Sequence, residues 1–146
     1  MGAKLTNMEK LEHIGIAVKN IDQSNTLFAS ILGVPHYKIE EVESEGVRTS
    51  FFDIGGVKIE LLEALHNESP IARHIEKRGE GVHHLAFSVD DISESIQSYK
   101  KKGFEVINET PKRGADAKMI CFLHPKSTGG VLIELCQDIN TPSSSH

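Results

Sequence analysis

The chain has 146 residues, 38% apolar and 25% charged, with a formal charge of −5, which is the composition of one folded domain. That charge argues against a non-specific nucleic-acid binder, and no apolar run reaches the roughly 18 residues that would span a membrane. Cys121 and Cys136 form neither a CxxC pair nor a disulfide framework, and MGAKLTNMEK lacks the apolar core of a signal peptide, so a cytoplasmic protein is expected.

In chain order, a β-rich stretch at Leu11–Val18 leads into a helix capped by Asn20 and stopped by Gly33. Its predicted apolar positions are Ile21, Leu27, Phe28, Ile31 and Leu32. Strands are predicted at His36–Val42, Val47–Ile54 and Val57–Leu65, with a glycine pair before the last. A short helix follows at Pro70–Arg78. A second β-rich stretch, Val82–Val89, precedes a helix that opens with the capping-box spacing Asp91–Glu94 and ends at Gly103. Strands at Phe104–Ile107, Met119–Leu123 and Val131–Gln137 complete the pattern. The polar tail after Asn140, TPSSSH, is expected to fray.

The same order, β-α-β-β-β, occurs twice. HIGIAVKNI (His13 to Ile21) aligns without gaps with HLAFSVDDI (His84 to Ile92), and GGVKIEL (Gly55 to Leu61) matches GGVLIEL (Gly129 to Leu135) at six of seven positions. The chain therefore reads as a single domain of two duplicated modules, about 11–66 and 82–137, joined by the helix at 70–78. The fold class is α+β, two paired βαβββ modules forming a curved sheet around a site.

Strand alternation then assigns faces. Ile14, Ile16 and Val18 share a helix-facing side, leaving His13, Gly15 and Ala17 on the other. Leu85, Phe87 and Val89 likewise oppose His84, Ala86 and Ser88. His83 has the wrong parity, and the repeat selects His84. Glu60 and Glu134 each interrupt an apolar strand, where an unpaired charge would be costly. Two histidines and two glutamates at equivalent positions suit a divalent metal such as Co, Zn, Mn, Ni or Fe. His13, Glu60, His84 and Glu134 are thus the candidate metal ligands. His36, His66, His74, His124 and His146 have no support from the repeat and are read as surface or loop residues.

Paired βαβββ modules with these ligands resemble the vicinal-oxygen-chelate (VOC, glyoxalase-like) superfamily, and within it the methylmalonyl-CoA epimerase branch. The stretches that carry the resemblance are LEHIGIAVKNI, KIELLEAL, SPIARHIEKRGEGVHHLAFSVDDI and FLHPKSTGGVLIEL, together about 11–137. It implies an isomerase interconverting (2R)- and (2S)-methylmalonyl-CoA by α-proton abstraction through a metal-stabilised enolate. It also implies a divalent metal, a CoA thioester as partner and a homodimer. Glu134 and Glu60 are then the candidate acid/base residues, one for each face of the carbon. Some relatives carry a separate glutamate where this chain has Thr49; Glu43 and Glu45 share that parity and are weaker candidates. From Tyr99 to Lys126 seven basic residues stand against three acidic ones, a +4 segment. Within it Lys126 is the candidate for an anionic substrate group. The competing readings are a glyoxalase I-like lyase acting through an enediolate, and a non-catalytic VOC binding protein.

Overall fold

A computed structural model describes residues 8–139, so the tail expected to fray lies outside the described residues. Its elements run β1 (Met8–Ala17), α1 (Ile21–Leu32), β2 (Lys38–Val42), β3 (Val47–Ile54), β4 (Val57–Ala64), α2 (Pro70–Arg78), β5 (Gly81–Val89), α3 (Ile92–Lys101), β6 (Lys112–Arg113), β7 (Lys118–Leu123) and β8 (Ile133–Asp138). This is β-α-β-β-β twice, with α2 between the copies. By packing, the chain forms two compact units, Glu12–Leu85 and Met1–Leu11 with Ala86–His146. The divisions fall inside β1 and β5 rather than in the linker.

In Glu12–Leu85 the strand order is β2-β3-β4-β1, with β4 antiparallel to β3 and parallel to β1. Gly55 and Gly56 close the β3–β4 hairpin with φ of 60° and 95°, the doubly left-handed geometry of a two-residue loop that suits glycine. Helix α1 begins where the Asn20 side chain accepts from the Gln23 amide (2.9 Å) and ends at left-handed Gly33. It packs Phe28 and Leu32 against Val18, Phe52 and Leu61, with Ile16 and Ile59 alongside. Phe52 and Leu61 are fully buried, each contributing about 1.5–3 kcal/mol. The apolar stripe is narrower than predicted. Leu27 and Ile31 are 54% and 63% exposed, while Ser24 and Asn25 turn inward. Asn25 is held there by the Ser50 hydroxyl, 2.5 Å away. On the opposite sheet face Ile71 and Ile75 of α2 cover Ala17, Val47 and Leu62. Ser69 caps α2 through the Ala72 amide, with Pro70 in the first turn.

The other unit has the order β5-β8-β7-β6. Its helix α3 is capped by Asp91, which accepts from the Glu94 amide, and sets Ile92, Ile96 and Tyr99 against Val89, Cys121, Leu123 and Leu135. One predicted strand is absent. Residues 104–107 make a single bridge, Val106 to Leu123. Two backbone bonds to the β7 side remain, Ile107 N–H to Phe122 O and His124 N–H to Glu105 O, but the Glu105 and Phe122 amides donate instead to Ser127 Oγ and Asn108 Oδ1, so the pairing does not extend into a ladder. The second strand of the copy is instead β6, two exposed basic residues paired to β7. It carries no alternation for a sequence pattern to detect.

Candidate metal centre

Register brings His13, Gly15 and Ala17 of β1 beside Lys58, Glu60 and Leu62 of β4. Across the β3–β4 ladder, Glu60 lies opposite Phe51 and Leu62 opposite Thr49. Directly opposed residues project to the same side, so these side chains share the face away from α1, as alternation predicts. His13, Glu60 and His84 are 5%, 4% and 6% exposed.

His13 is the hub. Its Nδ1 lies 3.1 Å from Glu60 Oε2, and its Nε2 lies 3.0 Å from His84 Nε2. The two predicted histidines and Glu60 are therefore brought together, with Glu60 and His84 at opposite nitrogens of the His13 ring. Gly15 makes the approach of His84 possible. A Cβ at position 15 would stand 2.3 Å from His84 Cε1, so the imidazole occupies the space a side chain would take. At 3.0 Å the two Nε2 atoms are at hydrogen-bonding distance, and together they could offer two imidazole nitrogens to one divalent cation.

Several contributors escaped sequence reading. Glu12 is buried, and its Oε1 lies 2.5 Å from His13 Nδ1 while Oε2 meets the Lys58 ammonium. Strict alternation would send Glu12 to the other face, but both it and His13 are buried here. One ligand atom from each of Glu12, His13 and Glu60 falls within 4.8 Å of the others, a spacing that could hold a cation. Two buried carboxylates against one ammonium leave a formal −1 when the imidazoles are neutral, a balance that favours a cation. Lys58 could have been suspected from its parity with Glu60. His83 is half-buried, and its Nδ1 lies 3.0 Å from His84 Nδ1. The His74 ring of α2 packs edge-on against His83, with centroids 4.9 Å apart. Burial, and then the nearby Arg78, push the His74 pKa down. His74 is thus no stray surface residue.

Glu134 sits on β8 of the other unit, 5% exposed, opposite Phe122 on β7. The duplication extends further than the motifs: Phe51 faces Glu60, and Phe122 faces Glu134. Burial and then the Glu134 charge push the neighbouring Cys121 thiol up to about 12, so it stays protonated at neutral pH. Thr49 is 1% exposed, and its hydroxyl has no hydrogen-bond partner among the described residues. Glu40 of β2 lies directly opposite it, whereas Glu43 and Glu45 lie in a 3-10 turn beyond that strand. Lys126 is 74% exposed in the turn before β8, 3.6 Å from Glu105. Lys100 and Lys118 pair with Glu109 and Asp138, so acidic neighbours offset part of the basic segment.

The profile of the Glyoxalase/Bleomycin resistance protein/Dioxygenase superfamily matches residues 12–122. The chain belongs to this superfamily. Its sheet-and-helix order is the fold of that superfamily, and named relatives narrow the branch. Human mitochondrial methylmalonyl-CoA epimerase is 37% identical over 132 residues, covering 90% of this chain and 75% of the human one. An ethylmalonyl-CoA/methylmalonyl-CoA epimerase of Cereibacter sphaeroides is 35% identical, covering 88% of this chain and 97% of that protein. Among solved structures, a Streptomyces coelicolor methylmalonyl-CoA epimerase variant in complex with 2-nitronate-propionyl-CoA superposes with a TM-score of 0.88 at 33% identity. It covers 94% of this superfamily member and 99% of that chain. No helix among the described residues is long and apolar enough to cross a membrane.

Proposed function

We propose that this superfamily member is a metal-dependent methylmalonyl-CoA epimerase in which His13 and His84 offer Nε2 to one divalent cation, with Glu134 and with Glu60, which here rests 3.1 Å from His13 Nδ1, as the carboxylates of the set. The observation that carries the reading is the approach of the His13 and His84 Nε2 atoms to 3.0 Å on a face kept small by Gly15 and shared by Glu60. Their chemistry fits the group: imidazoles and carboxylates suit Zn, Co, Mn, Ni and Fe alike, so the donor set does not single out one metal. A bound divalent ion supplies Lewis-acid stabilisation of the negative charge that develops when a proton leaves the carbon α to a thioester.

The protein's own residues do the rest. Epimerisation needs one group to take the α-proton and another to return it on the opposite face. Glu134 and Glu60, each on an apolar strand with a phenylalanine directly across, are assigned those roles. Thr49 cannot act as a base at neutral pH; its unpartnered hydroxyl is available to a substrate oxygen. Lys126, exposed on its turn, is assigned to an anionic group of the CoA thioester. A homodimer belongs to the same proposal, and Leu27 and Ile31 offer apolar surface for it.

Glu134→Gln and Glu60→Gln test the roles. Each is expected to lower kcat at least about 100-fold, the usual worth of a positioned acid/base group. Full turnover in Glu134→Gln with metal still bound would contradict the assignment. A lactoylglutathione lyase activity exceeding any epimerase activity would favour the glyoxalase reading, and bound metal without turnover of either substrate would favour a binding protein.

A further inference from the structure

We propose that Glu12 and His83, the residues immediately before the two ligand histidines, are a duplicated pair of positioning residues that fix both imidazoles in the tautomer that points Nε2 at the cation. The inference rests on the metal-site reading above, and deepens it.

In both copies the residue before the ligand histidine meets that histidine's Nδ1. His13 Nδ1 meets Glu12 Oε1 at 2.5 Å, and His84 Nδ1 meets His83 Nδ1 at 3.0 Å. Both pairs are separated by 71 positions in the sequence, so Glu12 and His83 are counterparts in the duplication. A carboxylate only accepts, so the His13 Nδ1 must carry the proton that Glu12 receives. Of the two acceptors near that nitrogen, Glu12 is nearer than Glu60 at 3.1 Å. Lys58 anchors the other Glu12 oxygen, holding the carboxylate in place. In the second copy either imidazole could donate; with Nε2 given to the cation, His84 keeps its proton on Nδ1 and donates it to the His83 Nδ1 lone pair, which puts the His83 proton on its Nε2. Both ligand rings then present Nε2 lone pairs, and those atoms stand 3.0 Å apart. At that distance the two nitrogens can share one proton, and a cation bound by both lone pairs takes that proton's place, so fixing both tautomers prepares the pair for a cation. A partner on the second imidazole nitrogen sets ring orientation and raises ligand basicity.

The copies are not equal. A carboxylate acceptor makes a hydrogen bond roughly twice as strong as a neutral one, so Glu12 makes His13 the stronger donor to the metal, and His83 leaves His84 the weaker.

The test is Co2+ binding to the full chain, followed by calorimetry and by the visible absorption of the bound ion. Glu12→Ala and His83→Ala are expected to weaken Co2+ binding about 10–100-fold, with Glu12→Ala the larger loss. Glu12→Gln and His83→Asn keep an acceptor at the same place and are expected to recover most of the affinity and the parent spectrum. Melting of the metal-free variants separates loss of fold from loss of ligand orientation. Nitrogen-15 imidazole spectra of the Zn2+-loaded parent protein are expected to show Nδ1–H on both His13 and His84, a readout that needs no variant. Affinities within twofold of the parent in all four variants, or an Nε2–H on either ligand, would overturn the proposal. Failure of the parent itself to bind Co2+ or Zn2+ would instead overturn the metal-site reading on which it rests.

Discussion

At the scale of single residues, Gly15 shows how an absent side chain positions a present one. The sequence marks it only as a small residue between two apolar ones, whereas the structure gives its space to the His84 ring. Gly15→Ala is therefore expected to push His84 off its position and weaken Co2+ binding at least tenfold, read by metal titration. Unchanged affinity would mean that the ring has another place to go. Cys121 offers a prediction about pH. Burial raises its pKa from 9.0 to about 12, so the folded state favours the thiol. That stabilisation is fully present below about pH 9 and is lost as pH rises towards 12. Denaturation between pH 8 and 10.5 is expected to show stability falling more steeply in the parent than in Cys121→Ala, by up to ~1 kcal/mol per pH unit. At this scale the sequence was legible where duplication repeated a residue type. It singled out His13, His84, Glu60 and Glu134, and all four are buried. The buried Glu12 and the half-buried His83 were not singled out, because the two copies carry different residues at that position.

At the scale of elements, local signals worked wherever the chain itself supplies the stop. Asn20, Gly33 and Asp91 bound their helices as their side chains and backbone preferences require, and the Pro70–Arg78 helix begins at its proline. Asn20→Ala is expected to cost about 1 kcal/mol of stability by removing the bond to the Gln23 amide. The exposed mid-helix Thr26→Ala, whose hydroxyl bonds only back to its own helix, serves as the neutral control. Equal melting temperatures for the two variants would contradict the cap's contribution. Patterns failed where tertiary partners decide. Residues 104–107 are apolar enough for a strand and keep two backbone bonds to the β7 side, yet Ser127 and Asn108 divert the Glu105 and Phe122 amides and stop the ladder at one bridge. Leu27 and Ile31 fit an apolar helix stripe, but the face that packs is centred on Phe28 and Leu32.

At the scale of the whole molecule, the two βαβββ copies carry equivalent Glu–Phe pairings, and superfamily membership follows from the match over residues 12–122. The repeat made this architecture readable before any coordinates. Placement of Lys126 was not readable, since charge along a sequence says nothing about which neighbour, here Glu105, a lysine meets. The central claim, that this scaffold moves the α-proton of a CoA thioester with metal assistance, is tested most directly by incubating the metal-loaded protein with methylmalonyl-CoA in deuterated water. Deuterium is expected at the α-carbon of both epimers, with loss of exchange on chelation and recovery on adding Co2+. An α-proton that stays unexchanged while the metal remains bound would contradict the account.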